Sequence, residues 1–165
     1  ANRKDTPRPP WLEPVRERLV LHWNAQVSDG IEADDNLGIH QSTDTVIASL
    51  DKDLLTVPGL HYNWVNKEWK TIDTRQGWIN FYTQLIMGDR ADNIVGYDGK
   101  MRQTIPKFLN YTMDCLNGCE TVRDMYELVE GVYELGVEAM HRNAQLLYIQ
   151  RCEGDTWQEP LVELA

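Results

Sequence analysis

Gly88–Lys100 reads GDRADNIVGYDGK, and the rest of the chain is best understood from it. Two carboxylates three residues apart, Asp89 and Asp92, lead into a turn punctuated by Gly96 and Gly99 and closed by Lys100. The preceding WINFYTQLIM has a helical pattern, and if the helical turn continues, a spacing of three puts both acids on one face. Hard divalent cations want oxygen from a few carboxylates, with positions left for water and phosphate. Gly96 and Gly99 allow the close approach of main chain to a ligand. Lys100 is expected where the next helix starts, and exposed amides at a helix start attract anions. An acid pair, a tight turn and an anion-binding helix start together point to chemistry on a nucleic-acid backbone.

Two acidic segments precede this one. AQVSDGIEADDNLGIHQ (25–41) reads as a short strand, a turn at Asp29-Gly30 and a helix whose first turn carries Glu32, Asp34 and Asp35. Acids in a first turn also suit the helix dipole, so capping is the alternative, but three in four residues exceeds what a cap needs. DTVIASLDKDLLTVPG (44–59) begins with a run, Val46-Ile47-Ala48, of the kind found in buried parallel strands, and ends in Asp51 and Asp53. Ligands of open α/β sheets bind beyond the carboxyl ends of strands, where these two acids sit. Lys52, between them, points either to a phosphate or merely to solvent, and solvent is the favoured reading. The calcium-loop alternative lacks the required glycine and glutamate register.

Taken together, IEADD (31–35), SLDKDLL (49–55) and GDRADNIVG (88–96) resemble, in order and spacing, the structure-specific 5' nucleases: flap endonucleases, the 5' nuclease domain of bacterial DNA polymerase I and, most closely, bacteriophage 5'-3' exonucleases. The resemblance extends to roughly Arg151. It implies an α/β fold with a central, largely parallel sheet flanked by helices (5' nuclease, PIN-like), followed by a helix-hairpin-helix DNA-binding element. It implies a catalytic and metal-binding set of Glu32, Asp34, Asp35, Asp51, Asp53, Asp89 and Asp92 holding two Mg²⁺ or Mn²⁺ ions. Glu32 and Asp34, with Asp51 or Asp53, serve the first; Asp89, Asp92 and Asp53 serve the second. It implies DNA contacts from Arg3, Lys4, Gly96, Gly99, Lys100, Arg102 and Lys107, and K⁺ at the hairpin through backbone carbonyls. Val95 and YDGKM depart from the family's usual proline and G-I-G-x-K elements.

The activity implied is two-metal hydrolysis of DNA phosphodiesters, as a 5'-3' exonuclease or flap endonuclease in phage replication or primer removal. The alternative is an accessory DNA-binding fragment that no longer cleaves. The chain enters the family's arch element at Ala1-Asn2-Arg3, so an upstream segment with the first strand and two further aspartates is expected to be absent. The organisation expected is 1–93 for the rest of the catalytic domain, 94–151 for the hairpin region and packing helices, and 152–165 as a tail.

Composition agrees with a folded domain: 165 residues, 42% hydrophobic, six Trp. No apolar run approaches the ~20 residues of a bilayer span, so no membrane partner is expected, nor any small-molecule cofactor, and the cytoplasm of a bacterial host is the expected location. Three cysteines suit reduced thiols. A net charge of −10 opposes binding to a polyanion, but −7 of it lies from Glu120 onward, and seven of the remaining acids are the motif acids, which bound metal would offset. Positive charge clusters at Arg3–Arg18 and Lys100–Lys107.

Three more elements follow. ANRKDTPRPPWLEPVRERLVLHW passes from a proline-rich loop into a helix, with Arg3 and Lys4 either at DNA phosphates or in an ordinary solvated cluster. LHYNWVNKEWKTID reads as a hairpin turning at Asn66-Lys67 with Trp64 and Trp69 paired across it, covering a small sheet rather than stacking on bases. MRQTIPKFLNYTMDCL looks helical with a break near Pro106, and TVRDMYELVEGVYELG and VEAMHRNAQLLYIQRC read as amphipathic helices in which His141 is a structural or surface residue rather than a ligand.

Overall fold

The computed structural model describes residues 7–161, so Arg3 and Lys4 lie outside the described residues. The chain divides into two compact units, Ala1–Ala33 and Asp34–Ala165. The expected boundary at 93/94 falls within the second.

The first unit holds helix α1 (Leu12–Trp23), which ends where Asn24 turns left-handed at φ 53°. The strand expected after it is absent: 24–28 is irregular and Val27 is exposed. Glu32 is exposed and precedes α2 (Ala33–Ile39), so the first turn of that helix carries Asp34 and Asp35 but not Glu32.

The second unit is mixed α/β, with small sheets flanked by helices. Strands β1 (Val46–Ala48), β2 (Gly59–Asn63) and β3 (Glu68–Ile72) form one sheet in that order. β1 pairs with β2 in parallel, as Val46–Ala48 led one to expect, while β2 and β3 are antiparallel. The sheet is therefore three-stranded and mixed rather than largely parallel. The aromatic pair on the hairpin is Tyr62 with Trp69, their rings 4.6 Å apart. Trp64 falls in the turn instead, because the Asn63 side chain accepts the amides of Val65 and Asn66 and starts the turn one residue before it.

Helix α3 (Thr74–Met87) is the axis of the core. Asp73 caps it by accepting the Gln76 amide at 2.7 Å. Its apolar residues recur at helical spacing, and Phe81, Tyr82, Leu85 and Ile86 are completely buried. They pack with Leu116 of α4 (Asn110–Gly118), Tyr126 and Val129 of α5 (Val122–Val132), and Met140 and Ala144 of α6 (Val137–Leu147). A capping box between Thr121 and Asp124 starts α5. His141 is structural, its Nε2 lying 2.9 Å from the Tyr126 hydroxyl. Trp157 is buried in the same core, so the expected tail supplies a core residue. All three cysteines are free.

Past Met87 the structure departs from the helical expectation. Gly88, at φ 74° and ψ 173°, ends α3, and the chain forms a two-residue ribbon, β4 (Gly88–Asp89) against β5 (Ile94–Val95). The ribbon is anchored by Tyr97 N–H to Ile86 O, Arg102 N–H to Met87 O, and the Asn143 side chain to Val95 O. Residues 100–106 are irregular, and helix resumes only through a 3-10 turn at Lys107–Leu109 leading into α4. Lys100 is thus not at a helix start. Two causes are visible: Asp98 accepts the Lys100 amide and grips Arg102 with both oxygens, and Pro106 disfavours helical backbone at the residue before it.

The Asp98 side chain is 8% exposed and that of Arg102 is 15% exposed. The Arg102 hydrogen bonds, outweighing desolvation and helped by Lys100, hold the Asp98 carboxyl well below the usual carboxylate range. Such a group contributes stability above its unfolded pKa of roughly 4, and loses it as pH falls below that value. Arg102→Ala is therefore expected to cost about 2 kcal/mol at neutral pH, because it leaves a shielded carboxylate with only the exposed Lys100 as its charged partner, and to flatten the acid limb of the stability curve. Denaturant melts from pH 2 to 7 measure both.

Candidate metal centre

Two loops, each fixed by its own hydrogen bonds, meet at the end of α3. After β1, the Ser49 hydroxyl accepts the Asp51 amide, and the Asp51 carboxylate accepts the Asp53 amide at 3.0 Å. That winds the chain into a 3-10 turn, Asp53–Thr56. The turn is held on α3 by the Asn80 side chain, which donates to Leu55 O at 2.7 Å. From the other side comes the ribbon, whose connecting turn ends at Asn93 with φ 61°. Asp89 Oδ1 accepts the amides of Ala91 at 2.6 Å and Asp92 at 3.3 Å, so its carboxylate organises the turn that carries Asp92.

The result is a trio. One carboxylate oxygen from each of Asp53, Asp89 and Asp92 lies within 4.8 Å of the others, with Asp89 buried, Asp53 half-buried and Asp92 exposed. It is the set that the resemblance assigned to the second metal. The acids are brought together by a turn and not by a helical face.

The remaining expected acids have other placements. The Oδ1 of Asp35 accepts the amide of Gln150 at 2.9 Å, a structural bond that ties α2 to the chain after α6. Asp34 is half-buried in the first turn of α2. Asp51 is exposed, organises the turn before Asp53, and raises that residue's pKa by its charge. Glu32 belongs to the first unit.

Electrostatics set Asp53 and Asp89 apart. Burial, followed by the charges of Asp51 and Asp89, pushes the Asp53 carboxyl up to about 7, so it is only partly ionised near neutrality. Burial also pushes Asp89 upward, but the amides of Ala91 and Asp92, with Lys52, more than offset this and leave it below its ordinary value. Hard oxygen donors from three crowded carboxylates and an exposed side toward Asp92 fit a divalent cation of the Mg²⁺ or Mn²⁺ kind.

A raised folded pKa contributes stability at low pH and loses it as pH rises through that value. Ionisation of Asp53 thus costs the metal-free chain stability as pH climbs from its ordinary 3.8 to about 7. A cation needs the ionised form, so protons compete with it. Added Mn²⁺ is expected to raise Tm clearly more at pH 8 than at pH 5.5, and Asp53→Asn to remove the difference; thermal melts at both pH values check this.

Two side chains at the trio were not picked out as site residues by the sequence. Lys52 does not simply face solvent: its Nζ is 3.9 Å from Asp53 Oδ1 and 4.0 Å from Asp89 Oδ2. Gln84, five residues before Asp89, donates to Asp89 Oδ2 at 3.5 Å. Of the expected DNA-contact residues, Gly96 is buried with its amide on Lys100 O, Gly99 forms the exposed turn at φ 79°, and Arg102 is committed to Asp98. Lys100 is exposed, 3.3 Å from Asp98, and Lys107 is exposed at the 3-10 turn. Among the described residues no helix is long and apolar enough to cross a membrane. No protein-family model, curated protein or solved structure matches the chain.

Proposed function

We propose that the chain is the metal-binding part of a DNA phosphodiesterase of the structure-specific 5' nuclease kind, acting as a 5'-3' exonuclease or flap endonuclease. The observation that carries this reading is the convergence of Asp53, Asp89 and Asp92, drawn from the two acidic motifs SLDKD and GDRADN. A bound Mg²⁺ supplies Lewis acidity and a water of lowered pKa. The carboxylates of Asp89, Asp53 and Asp92 would hold that ion. Asp34 and Asp51 are the proposed source of a second ion's ligands, whereas Asp35 serves the fold. Lys100 and Lys107 are the proposed phosphate contacts, with Arg102 bracing the turn that presents Lys100. The PIN-like and helix-hairpin-helix assignments are part of this proposal, the hairpin being the turn at Gly96–Gly99.

The test is release of nucleotides from a labelled 5'-ended duplex and a 5' flap in Mg²⁺, against EDTA and Ca²⁺. Mg²⁺-dependent release supports the proposal. DNA binding in EDTA without release in Mg²⁺ points instead to a DNA-binding accessory chain.

A further inference from the structure

We propose that Lys52 is the built-in counter-ion of the Asp53–Asp89–Asp92 trio, which gives way to a divalent cation and then carries its charge to a phosphate held on that cation. The inference rests on the metal-centre reading and adds a residue which that reading leaves idle.

Three observations support it. The ammonium lies 3.9 Å and 4.0 Å from two of the three acids, yet the side chain is 74% exposed while those of Asp53 and Asp89 are 21% and 5% exposed. The charge is therefore at the trio without being packed there, on a flexible four-carbon stem. Next, Lys52 has helical backbone angles, φ −70° and ψ −23°, at the entrance to the 3-10 turn, which cancels the strand-like alternation that would send it away from its neighbours. Finally, Lys52 borders two clefts at once. One, of about 470 Å³, includes Asp53, Gln84 and Thr104. The other, of about 200 Å³, includes Asp51, Tyr62 and Lys70. A phosphodiester joins two nucleosides, so a phosphate at this saddle directs one toward each cleft. Arg102 also borders the larger cleft but is held by both oxygens of Asp98. Lys52 is the cation there whose head is able to move.

A resident cation competes with an incoming one. Unit charges 4 Å apart in water correspond to a factor of roughly five in an equilibrium constant, and two acids are within that reach. Calorimetry with Mn²⁺ alone, on the whole chain carrying Lys52→Met, is expected to give affinity roughly five- to twenty-fold tighter than the parent. Thymidine monophosphate titrated at saturating Mn²⁺ is expected to bind the same variant roughly ten-fold more weakly, with Lys52→Arg close to the parent in both titrations. Unchanged or weaker Mn²⁺ affinity in Lys52→Met overturns the counter-ion role, and unchanged nucleotide affinity overturns the phosphate role. A parent that shows both effects but cleaves no DNA leaves this inference standing and removes the nuclease reading. A parent that binds no Mn²⁺ removes both.

Discussion

On the proposed nuclease reading, Asp89→Asn is expected to reduce Mg²⁺-dependent cleavage by well over a hundred-fold while leaving the chain folded. The two consequences come from different oxygens. Oδ1 accepts the amides of Ala91 and Asp92, a task that an asparagine carbonyl performs equally well, so the turn bearing Asp92 survives. Oδ2 faces Lys52 and Gln84 and supplies the charge that a cation needs; its replacement by an amide removes a ligand. Loss of a mere hydrogen-bond partner of a metal ligand costs roughly 10–100-fold, and loss of the ligand itself costs more. In the metal-free chain Asp89→Asn also relieves the repulsion that keeps Asp53 protonated, so its Asp53 should titrate lower. Carbon-detected NMR of the carboxyls together with single-turnover cleavage measures both effects. Parent-like cleavage by Asp89→Asn would remove the trio from the chemistry.

Gly88→Ala is expected to have the largest effect on the fold. The residue sits at φ 74° and ψ 173°, a region that only glycine populates readily. An added Cβ would lie 2.5 Å from Gly96 N and 2.6 Å from Ile94 O, main-chain atoms of the strand it pairs with and of the residue just after it. Backbone strain and overpacking each cost about 1–3 kcal/mol, so a loss of about 3 kcal/mol or more is expected. For a domain of this size that is roughly a 6–12 °C fall in Tm. The ribbon carries Asp89, so Mn²⁺ affinity should fall with it. Gly131→Ala in α5, where an added Cβ meets nothing within 4 Å, should be neutral or stabilising by up to about 1 kcal/mol. Melts and titrations of the pair separate the ribbon's role from a general intolerance of substitution.

Elements with a strong hydrophobic period are legible in the amino-acid pattern: the parallel run Val46–Ala48, the β2–β3 hairpin, and α3, α5 and α6 all form where expected, although α5 stops at Val132 and α6 at Leu147, short of the ends that their patterns suggest. What is not legible depends on single side chains or distant partners. The helical pattern ends at Met87, and the further turn that would put both acids on one face does not form: Gly88 stops the helix, and Asp89 and Asp92 meet through a turn. The segment after Lys100 carries a helical pattern, yet the bidentate hold of Asp98 on Arg102 keeps it irregular. Alternation matches Trp64 to Trp69, and the side-chain bonds of Asn63 move the turn by one place. Asp35 looks like a ligand by its company in the EADD motif, but its carboxylate bonds to Gln150, far along the chain, a contact that no local pattern reveals. Lys52 is exposed as expected, but the helical backbone at the entrance to the 3-10 turn sets its ammonium beside Asp53 and Asp89, which alternation alone does not foretell.

That Asp53, Asp89 and Asp92 hold a divalent cation is tested most directly by anomalous diffraction from crystals soaked in Mn²⁺. The expected result is a peak roughly 2 Å from carboxylate oxygens of all three residues, with Lys52 Nζ displaced from its place beside Asp53 and Asp89. A trio without a peak, or a peak ligated by other acids while these three keep their Lys52 pairing, would contradict it.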